Sequence, residues 1–461
     1  MQNKWDQQTR EQTKEELYQR FSKRGLRRRQ RRRVWLGMFV SLVILSVTGL
    51  KRALDIFAAS LLLLLLSPLL IVAYLACSGK LRRTAKVGRW GEPFDELSFV
   101  VPASALGRMM AKFRVHLLPV LFNIVNGNMS FVGPRAVAPE DLSPRQRAAR
   151  KRFDVRPGLI GLWWIRRRAN IAFDSEVALD GEYVDTQTVW GDLGIALRAI
   201  PAALYGESTT VAADVVSILG IRINNLTMSE ALENLLARLQ GDRANQVCFV
   251  NADCANLAYK DEEYLAVMNN AALTLADGIG LKLAGKLLSR DIKQNVNGTD
   301  LFPRLCASLS GTGHGLFLLG AKPGVTEAVR NWIEQTYPEV IVSGCHHGYF
   351  SPAEEPAVIR QIAESGASLL LVAFGAPRQD KWINLHLGET GVKVAMGVGG
   401  LFDFYSGNVS RAPQWMREMG LEWLYRFLQE PGRMWKRYFL GNGLFLFRVL
   451  KERNRPSSPV A

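Results

Sequence analysis

Apolar positions follow three different rhythms along this chain. From Val34 to Cys77 they run almost without interruption, in stretches of 17 (Val34–Leu50) and 25 residues (Ala53–Cys77) parted by Lys51-Arg52. At about 1.5 Å per residue the first stretch stands at the lower limit for crossing ~30 Å of hydrocarbon, and the second is amply long. Pro68 interrupts the second, and Ser67-Pro68 predicts a broken helix that enters and leaves the same leaflet, or one arm of a hairpin. Residues 78–206 carry shorter mixed segments, read as a small α/β domain. After the small, polar stretch GESTTVAADVVS (Gly206–Ser217) the rhythm changes again. Apolar runs ending in Gly-rich turns, VCFVNAD (Val247–Asp253), GLFLLGA (Gly315–Ala321), LLLVAFGAP (Leu369–Pro377) and KVAMGVGG (Lys393–Gly400), alternate with amphipathic stretches such as VTEAVRNWIEQTYP (Val325–Pro338). That alternation predicts an α/β fold with a parallel sheet buried on both faces, whose ligands collect at the carboxyl ends of the strands. The expected organisation is a basic segment (1–33), membrane-inserted helices (34–77), the small domain (78–206), a linker (207–217), a core (218–410) and a basic aromatic appendage (411–461).

Charge sharpens the picture at the ends. Of the net +16, residues 1–52 hold +10 and residues 411–461 hold +6, while the middle balances at 34 basic against 34 acidic side chains. The termini are therefore expected to approach an anionic surface. The run Arg27–Arg33 before the apolar stretches keeps that end in the cytoplasm, because cationic loops resist translocation. If both stretches cross, or both only dip in, the rest of the chain is cytoplasmic too. Neither has the position or the cleavage site of a signal peptide. A nucleic-acid partner is not assigned, since the arginine run abuts some forty apolar residues. Five cysteines without a CxxC pair argue against disulfide staples and a structural zinc, and fit a reducing compartment. Cys345-His346-His347 is the one local cluster of soft ligands; no metal is assigned to it.

The first half resembles a known family. KRALDIF (Lys51–Phe57), the break at Ser67-Pro68, NIVNGNMSFVGPR (Asn123–Arg135), VRPGLIGL (Val155–Leu162) and ALDGEYV (Ala178–Val184) together resemble bacterial sugar transferases, the monotopic polyprenyl-phosphate phosphoglycosyl transferases. The resemblance implies a re-entrant helix and a cytoplasmic domain that moves a sugar phosphate from a nucleotide sugar onto a lipid phosphate. The family's catalytic Asp-Glu dyad, however, is replaced by His116 and Leu117, and leucine offers no lone pair to a phosphosugar or to Mg²⁺. A basic stretch of the family appears as SFVVP (Ser98–Pro102), so the domain is read as degenerate. Asp95-Glu96 is read as a solvated loop pair, with replacement of the dyad as the alternative; His116 as a surrogate phosphoryl acceptor stays open. Arg135 is a candidate phosphate ligand whose alternative is a capping or packing contact.

The second half carries the denser set of motifs. VNG (Val296–Gly298), GYF (Gly348–Phe350), GAPRQDKW (Gly375–Trp382), GVGGLFDFYSG (Gly397–Gly407), RAPQWM (Arg411–Met416) and LEWLYRFLQEPGRMWKRY (Leu421–Tyr438), with Asp277-Gly278, resemble the WecG/TagA/CpsF glycosyltransferase family. That implies a Rossmann-like core that transfers a sugar, often of the N-acetylmannosamine type, from a UDP-sugar to a polyprenyl-diphosphate-linked sugar with inversion. In this reading Asp277 is the general base, and Asn251, Gln379 and Asp403 bind the nucleotide sugar. Arg426, Arg433 and Arg437 close on the diphosphates from the appendage. Asp253 stands where the family often has His. Trp423, Tyr425, Trp435, Tyr438, Phe439, Phe445 and Phe447 are candidate interfacial anchors, with core packing as the alternative. No cofactor and no metal are implied.

The expected protein is an enzyme of exopolysaccharide or surface-polysaccharide assembly on the cytoplasmic face of a bacterial inner membrane. Its partners are a UDP-sugar, a polyprenyl-linked acceptor and membrane lipid, with homo-oligomerisation left open. The alternatives are a bifunctional chain whose first half also transfers the initiating sugar phosphate, and a non-enzymatic scaffold. A nicotinamide-dependent dehydrogenase is disfavoured because no GxGxxG opens the first strand-helix turn.

Overall fold

Pro68 does break the apolar segment. In the computed structural model, which describes residues 49–112, 115–142, 150–169, 171, 175–204 and 213–454, helices α1 (Gly49–Leu65) and α2 (Ser67–Ala76) meet at an angle of 66°. The Ser67 hydroxyl donates to the Leu64 carbonyl at 2.7 Å, satisfying an acceptor that the break leaves without an amide. No single described helix is long and apolar enough to cross a membrane; the bent pair passes that test together. The basic segment 1–33, the apolar residues 34–48 and linker residues 207–212 lie outside the described residues.

The chain divides into two units, Met1–Leu162 with Ser175–Ala196, and Trp163–Asp174 with Leu197–Ala461. In the first, strands β1 (Leu81–Val87) and β2 (Pro93–Phe99) form an antiparallel hairpin, and β3 (Ser130–Val132) pairs in parallel with β4 (Gly158–Ile160). The motifs that carry the sugar-transferase resemblance are stitched to one another here. Lys51 donates to the Tyr183 hydroxyl at 2.7 Å and the Val132 carbonyl at 2.9 Å, and pairs with Asp192 at 2.6 Å. Arg52 donates to the carbonyls of Ile124 and Val125, at the end of the helix Val120–Asn126, and Asp55 accepts from the Ser130 hydroxyl at 2.7 Å. These residues fasten α1 to the domain. Asp95 and Glu96 are not on a loop: both lie in β2, where the Asn123 amide donates to the Asp95 carbonyl at 2.6 Å and its oxygen accepts from Leu97 N–H. Periodicity misses the strand because β2 is only seven residues long and its sequence, PFDELSF, puts two acidic residues side by side instead of alternating.

In the second unit β5 (Val215–Ile218) and β6 (Ile221–Asn224) form a hairpin beside a six-stranded parallel sheet. The sheet contains β7 (Asn245–Val250), β8 (Leu273–Ala276), β9 (Leu316–Gly320), β10 (Val342–His346), β11 (Leu369–Ala373) and β12 (Val394–Gly397), in the order β10-β9-β11-β12-β7-β8. The four apolar runs singled out in the sequence are β7, β9, β11 and β12. Alternate residues feed separate cores: Leu316, Leu318, Leu369 and Leu371 face one layer, Phe317, Leu319, Leu370 and Val372 the other. Double-sided burial explains the unbroken apolar runs. The strand order reverses beside β7, which puts a crevice at the carboxyl ends of β7 and β12.

The appendage is partly core. Its last helix, Asn442–Arg453, buries Phe445 and Val449 against the helices Ala252–Ala258 and Ile279–Leu287, and buried Arg448 donates to Asn256 Oδ1 at 2.7 Å. Phe445 is thus a packing residue and not an interfacial anchor, because its position in the helix turns it toward the sheet layer. Trp423, Tyr425 and Tyr438 are half-buried, while Trp435, Phe439 and Phe447 are exposed.

Candidate active site

The carboxyl ends of β7, β8, β9, β11 and β12 open onto a cavity of about 1190 Å³. Its wall brings together Asn251, Asp277, Gln379, Asp403, Arg426 and Arg437. Arg433 lies on the helix Pro431–Trp435, and its side chain falls outside what the structure describes. Arg135 is in the other unit, where its guanidinium pairs with Glu176 at 3.0 Å and its carbonyl accepts from Arg152.

Asp277 follows the four buried residues of β8. Its N–H donates to the Val250 carbonyl at 2.7 Å, locking the ends of β7 and β8 together. Gly278 then takes φ +95°, a left-handed geometry that side chains rarely adopt, and its N–H donates to Asn295 Oδ1 at 2.5 Å. This turn aims the half-buried Asp277 side chain into the crevice. Burial pushes its carboxyl up to about 6; Glu422 and Asp300 add to the shift, while Arg437 and the Asn251 amide oppose it. A carboxylate poised near neutrality in a cleft suits a general base.

Asn251 does two jobs. Its oxygen accepts from the N–H groups of Asp253 and Cys254 at 3.0 Å, capping the helix Ala252–Ala258, and its amide favours the ionised form of the Asp277 carboxyl. Gln379, at the start of the helix Arg378–His386, is buried, and its oxygen accepts from Gly375 N–H at 3.1 Å and Gly399 N–H at 3.0 Å. It braces the two glycine loops of the cavity, so that oxygen is already committed to the protein. Asp403 is half-buried on the short helix Leu401–Tyr405.

Two appendage arginines reach the same space by different routes. Arg426, on the helix Glu422–Gln429, lies over the Phe404 ring at 5.2 Å and beside Gly400, where a Cβ would stand 2.7 Å from the guanidinium. Glycine is what lets the arginine approach. Arg437, in the π-helical segment Lys436–Gly441, pairs with Asp253 at 3.2 Å. The break expected at Pro431-Gly432 is present at Glu430, which leaves helical geometry before Pro431 starts a new turn. Arg411 fixes the appendage to the core by pairing with Asp300 at 2.5 Å and Glu422 at 3.3 Å.

A sequence model of the Glycosyl transferase WecG/TagA/CpsF family matches residues 216–459, and one of the bacterial sugar transferases matches residues 102–206. The chain belongs to the WecG/TagA/CpsF family. Among its relatives is an N-acetylglucosaminyldiphosphoundecaprenol N-acetyl-beta-D-mannosaminyltransferase of Bacillus subtilis (strain 168), 36% identical over 203 residues that cover 44% of this chain and 78% of the relative. A protein of the same name from Staphylococcus aureus (strain MRSA252) is 31% identical over 245 residues, 52% of this chain and 94% of the relative.

Several wall residues of this WecG/TagA/CpsF crevice are invisible as single letters. Lys322 and Arg378 join Arg426 and Arg437 as cations, and the loop Gly320–Gly324 leads into the N-terminus of the helix Val325–Thr336. Backbone N–H groups, a helix N-terminus and four cations have the charge and donors that suit a diphosphate. The GAKPG and GAPRQ turns were the available signal for the first two. The Asp253–Arg437 pair had none, because its partners are 184 positions apart.

Proposed function

We propose that this enzyme transfers a sugar of the N-acetylmannosamine type from a UDP-sugar to a polyprenyl-diphosphate-linked sugar, with inversion. The observation that carries the reading is the raised carboxyl of Asp277 in a crevice walled by glycine loops and cations. The donor's diphosphate lies along the loops Gly320–Gly324 and Gly397–Gly400, with Lys322, Arg378 and Arg426 neutralising the charge that grows as UDP departs. Asp277 removes the proton of the acceptor hydroxyl as that oxygen attacks the anomeric carbon from the side opposite UDP. Asn251 orients the base, Gln379 holds the loops, and Arg437 stabilises the ionised carboxylate. Supporting it, both relatives carry names that specify a diphosphoundecaprenol-linked N-acetylglucosamine as acceptor.

The bent pair α1–α2 is inferred to dip into the cytoplasmic leaflet of a bacterial inner membrane. Supporting this are the exposed apolar side chains Phe57, Leu64, Leu65 and Leu75, the arginine run at 27–33 and the exposed appendage residues Trp435, Phe439 and Phe447. The deciding experiment is mass spectrometry of lipid products from the purified chain with UDP-N-acetylmannosamine and a prenyl-diphosphate-linked N-acetylglucosamine. A disaccharide product from the unaltered chain, lost in Asp277→Asn with donor affinity kept, is the expected result; undiminished product from Asp277→Asn refutes the base assignment.

A further inference from the structure

Asp277 borders two cavities. The second, of about 440 Å³, shares Asn251, Asp253, Asp277, Arg426 and Arg437 with the first, and part of its wall comes from outside the matched glycosyltransferase region. Arg168, Ala169 and Ile171 line it, and they fall in the stretch matched by the bacterial sugar transferases, although these three residues belong to the same compact unit as the glycosyltransferase region. We propose that this smaller cavity receives the lipid-linked acceptor and that Arg168 binds an anionic oxygen of its diphosphate. The inference rests on the function proposed above and adds a binding residue that the glycosyltransferase region does not itself contain.

Three observations converge on it. The first is the position of the base. Displacement with inversion needs donor and acceptor on opposite sides of the reacting centre with the base at their meeting point, and Asp277 borders both cavities. The glycine loops that suit a nucleotide diphosphate line the larger one only, which leaves the smaller for the acceptor. The second is charge. The wall of the smaller cavity holds five cations and five carboxylates. Three of those carboxylates are engaged by arginines behind the wall: Glu418 by Arg166 at 3.1 Å and Arg198 at 2.5 Å, Asp300 and Glu422 by Arg411. Wall and backing together are therefore positive, as a diphosphate requires. Apolar side chains, Leu283, Trp423 and Leu446 among them, line the same space and suit the sugar faces and the first prenyl carbons.

The third is the way Arg168 is held. Its guanidinium stacks on the Trp164 ring at 4.3 Å and donates through one nitrogen to the Ala202 carbonyl at 3.2 Å. The helix that carries it, Leu162–Arg168, is anchored through Arg166 to Glu418, which is 1% exposed. A planar, pre-positioned guanidinium loses little freedom on binding and matches phosphate oxygens in pairs.

The test uses the full chain in detergent micelles, UDP-N-acetylmannosamine as donor and a short-chain prenyl diphosphate bearing N-acetylglucosamine as acceptor. Arg168→Ala should raise both the acceptor KM and its calorimetric Kd about tenfold, the factor one charge-assisted hydrogen bond commands. Donor KM and Tm should hold, Arg168→Lys should fall between, and Arg168→Gln supplies a second neutral variant should alanine lower Tm. Inorganic pyrophosphate should compete with the acceptor in the unaltered chain and lose potency in Arg168→Ala, which separates diphosphate recognition from recognition of the lipid. Unchanged acceptor KM and Kd in both neutral variants overturns the proposal. So does a change confined to the donor KM, or an unaltered chain that fails to bind the acceptor. Acceptor binding that depends on Arg168 in a chain that transfers nothing sinks the proposed function and leaves this assignment standing.

Discussion

At the scale of the residue, the proposed base is a carboxyl whose environment opposes its own ionisation. A base works deprotonated, so with the Asp277 carboxyl near 6 the kcat/KM of the enzyme should fall about tenfold per pH unit below that value and level off above it. Arg437 favours the ionised form. Arg437→Ala should therefore move the acidic limb to higher pH as well as slow transfer, and a pH-rate profile of that variant reads both effects. The same shift has a consequence for stability. Because the folded-state value lies above the ordinary carboxylate value of 3.8, the ionised group costs stability above about 6 and the cost disappears as pH falls toward 4. Asp277→Asn should accordingly melt above the unaltered chain at pH 8 and level with it near pH 4. Asn251 and Gln379 show how a residue can matter to a site through its neighbours: each spends its carbonyl oxygen on backbone N–H groups, so their substitution should loosen the cavity before it removes a ligand contact.

At the scale of the element, short connections between distant segments decide where the appendage goes. Glu418 is buried and takes Arg166 and Arg198, while Arg411 ties Asp300 to Glu422. Removing the partner of a buried charge leaves the others unpaired, so Glu418→Ala should lose about 3–5 kcal/mol in a denaturant melt, several times the effect of removing the half-exposed pair Arg330–Glu334. In the first unit the surviving family motifs act as fasteners: Lys51, Arg52 and Asp55 hold α1 to β3 and to the helix Val120–Asn126. These contacts give the matched motifs a structural role that does not depend on which residues stand at positions 116 and 117.

At the scale of the whole molecule, the two halves are expected to differ in activity. His116 and Leu117 bring no carboxylate to the place where a phosphosugar would be taken, so the chain should release no UMP from UDP-sugars when polyprenyl phosphate is the only acceptor, with or without Mg²⁺. UMP release that disappears in His116→Ala would instead establish the bifunctional alternative. Membrane attachment is tested separately: Leu64→Glu with Leu65→Glu, both exposed on the bent pair, should weaken flotation with anionic vesicles while transfer in detergent persists. Sequence by itself determined the parallel sheet, because strands buried on both faces must read as apolar runs, and it determined the break at Pro68, because proline removes a donor and fixes φ wherever it stands. Asp277 was singled out only through the motif set that resembles the WecG/TagA/CpsF family, since an isolated Asp-Gly serves equally well to cap a helix. What only the tertiary structure decided are relations between residues far apart in the chain: Arg437 on Asp253, Arg426 over Gly400, Gln379 between two loops, Arg168 on the wall of the second cavity. Local pattern carries no information about such pairs, since they arise from strand order and helix packing, and it is those relations that make a pocket out of loops.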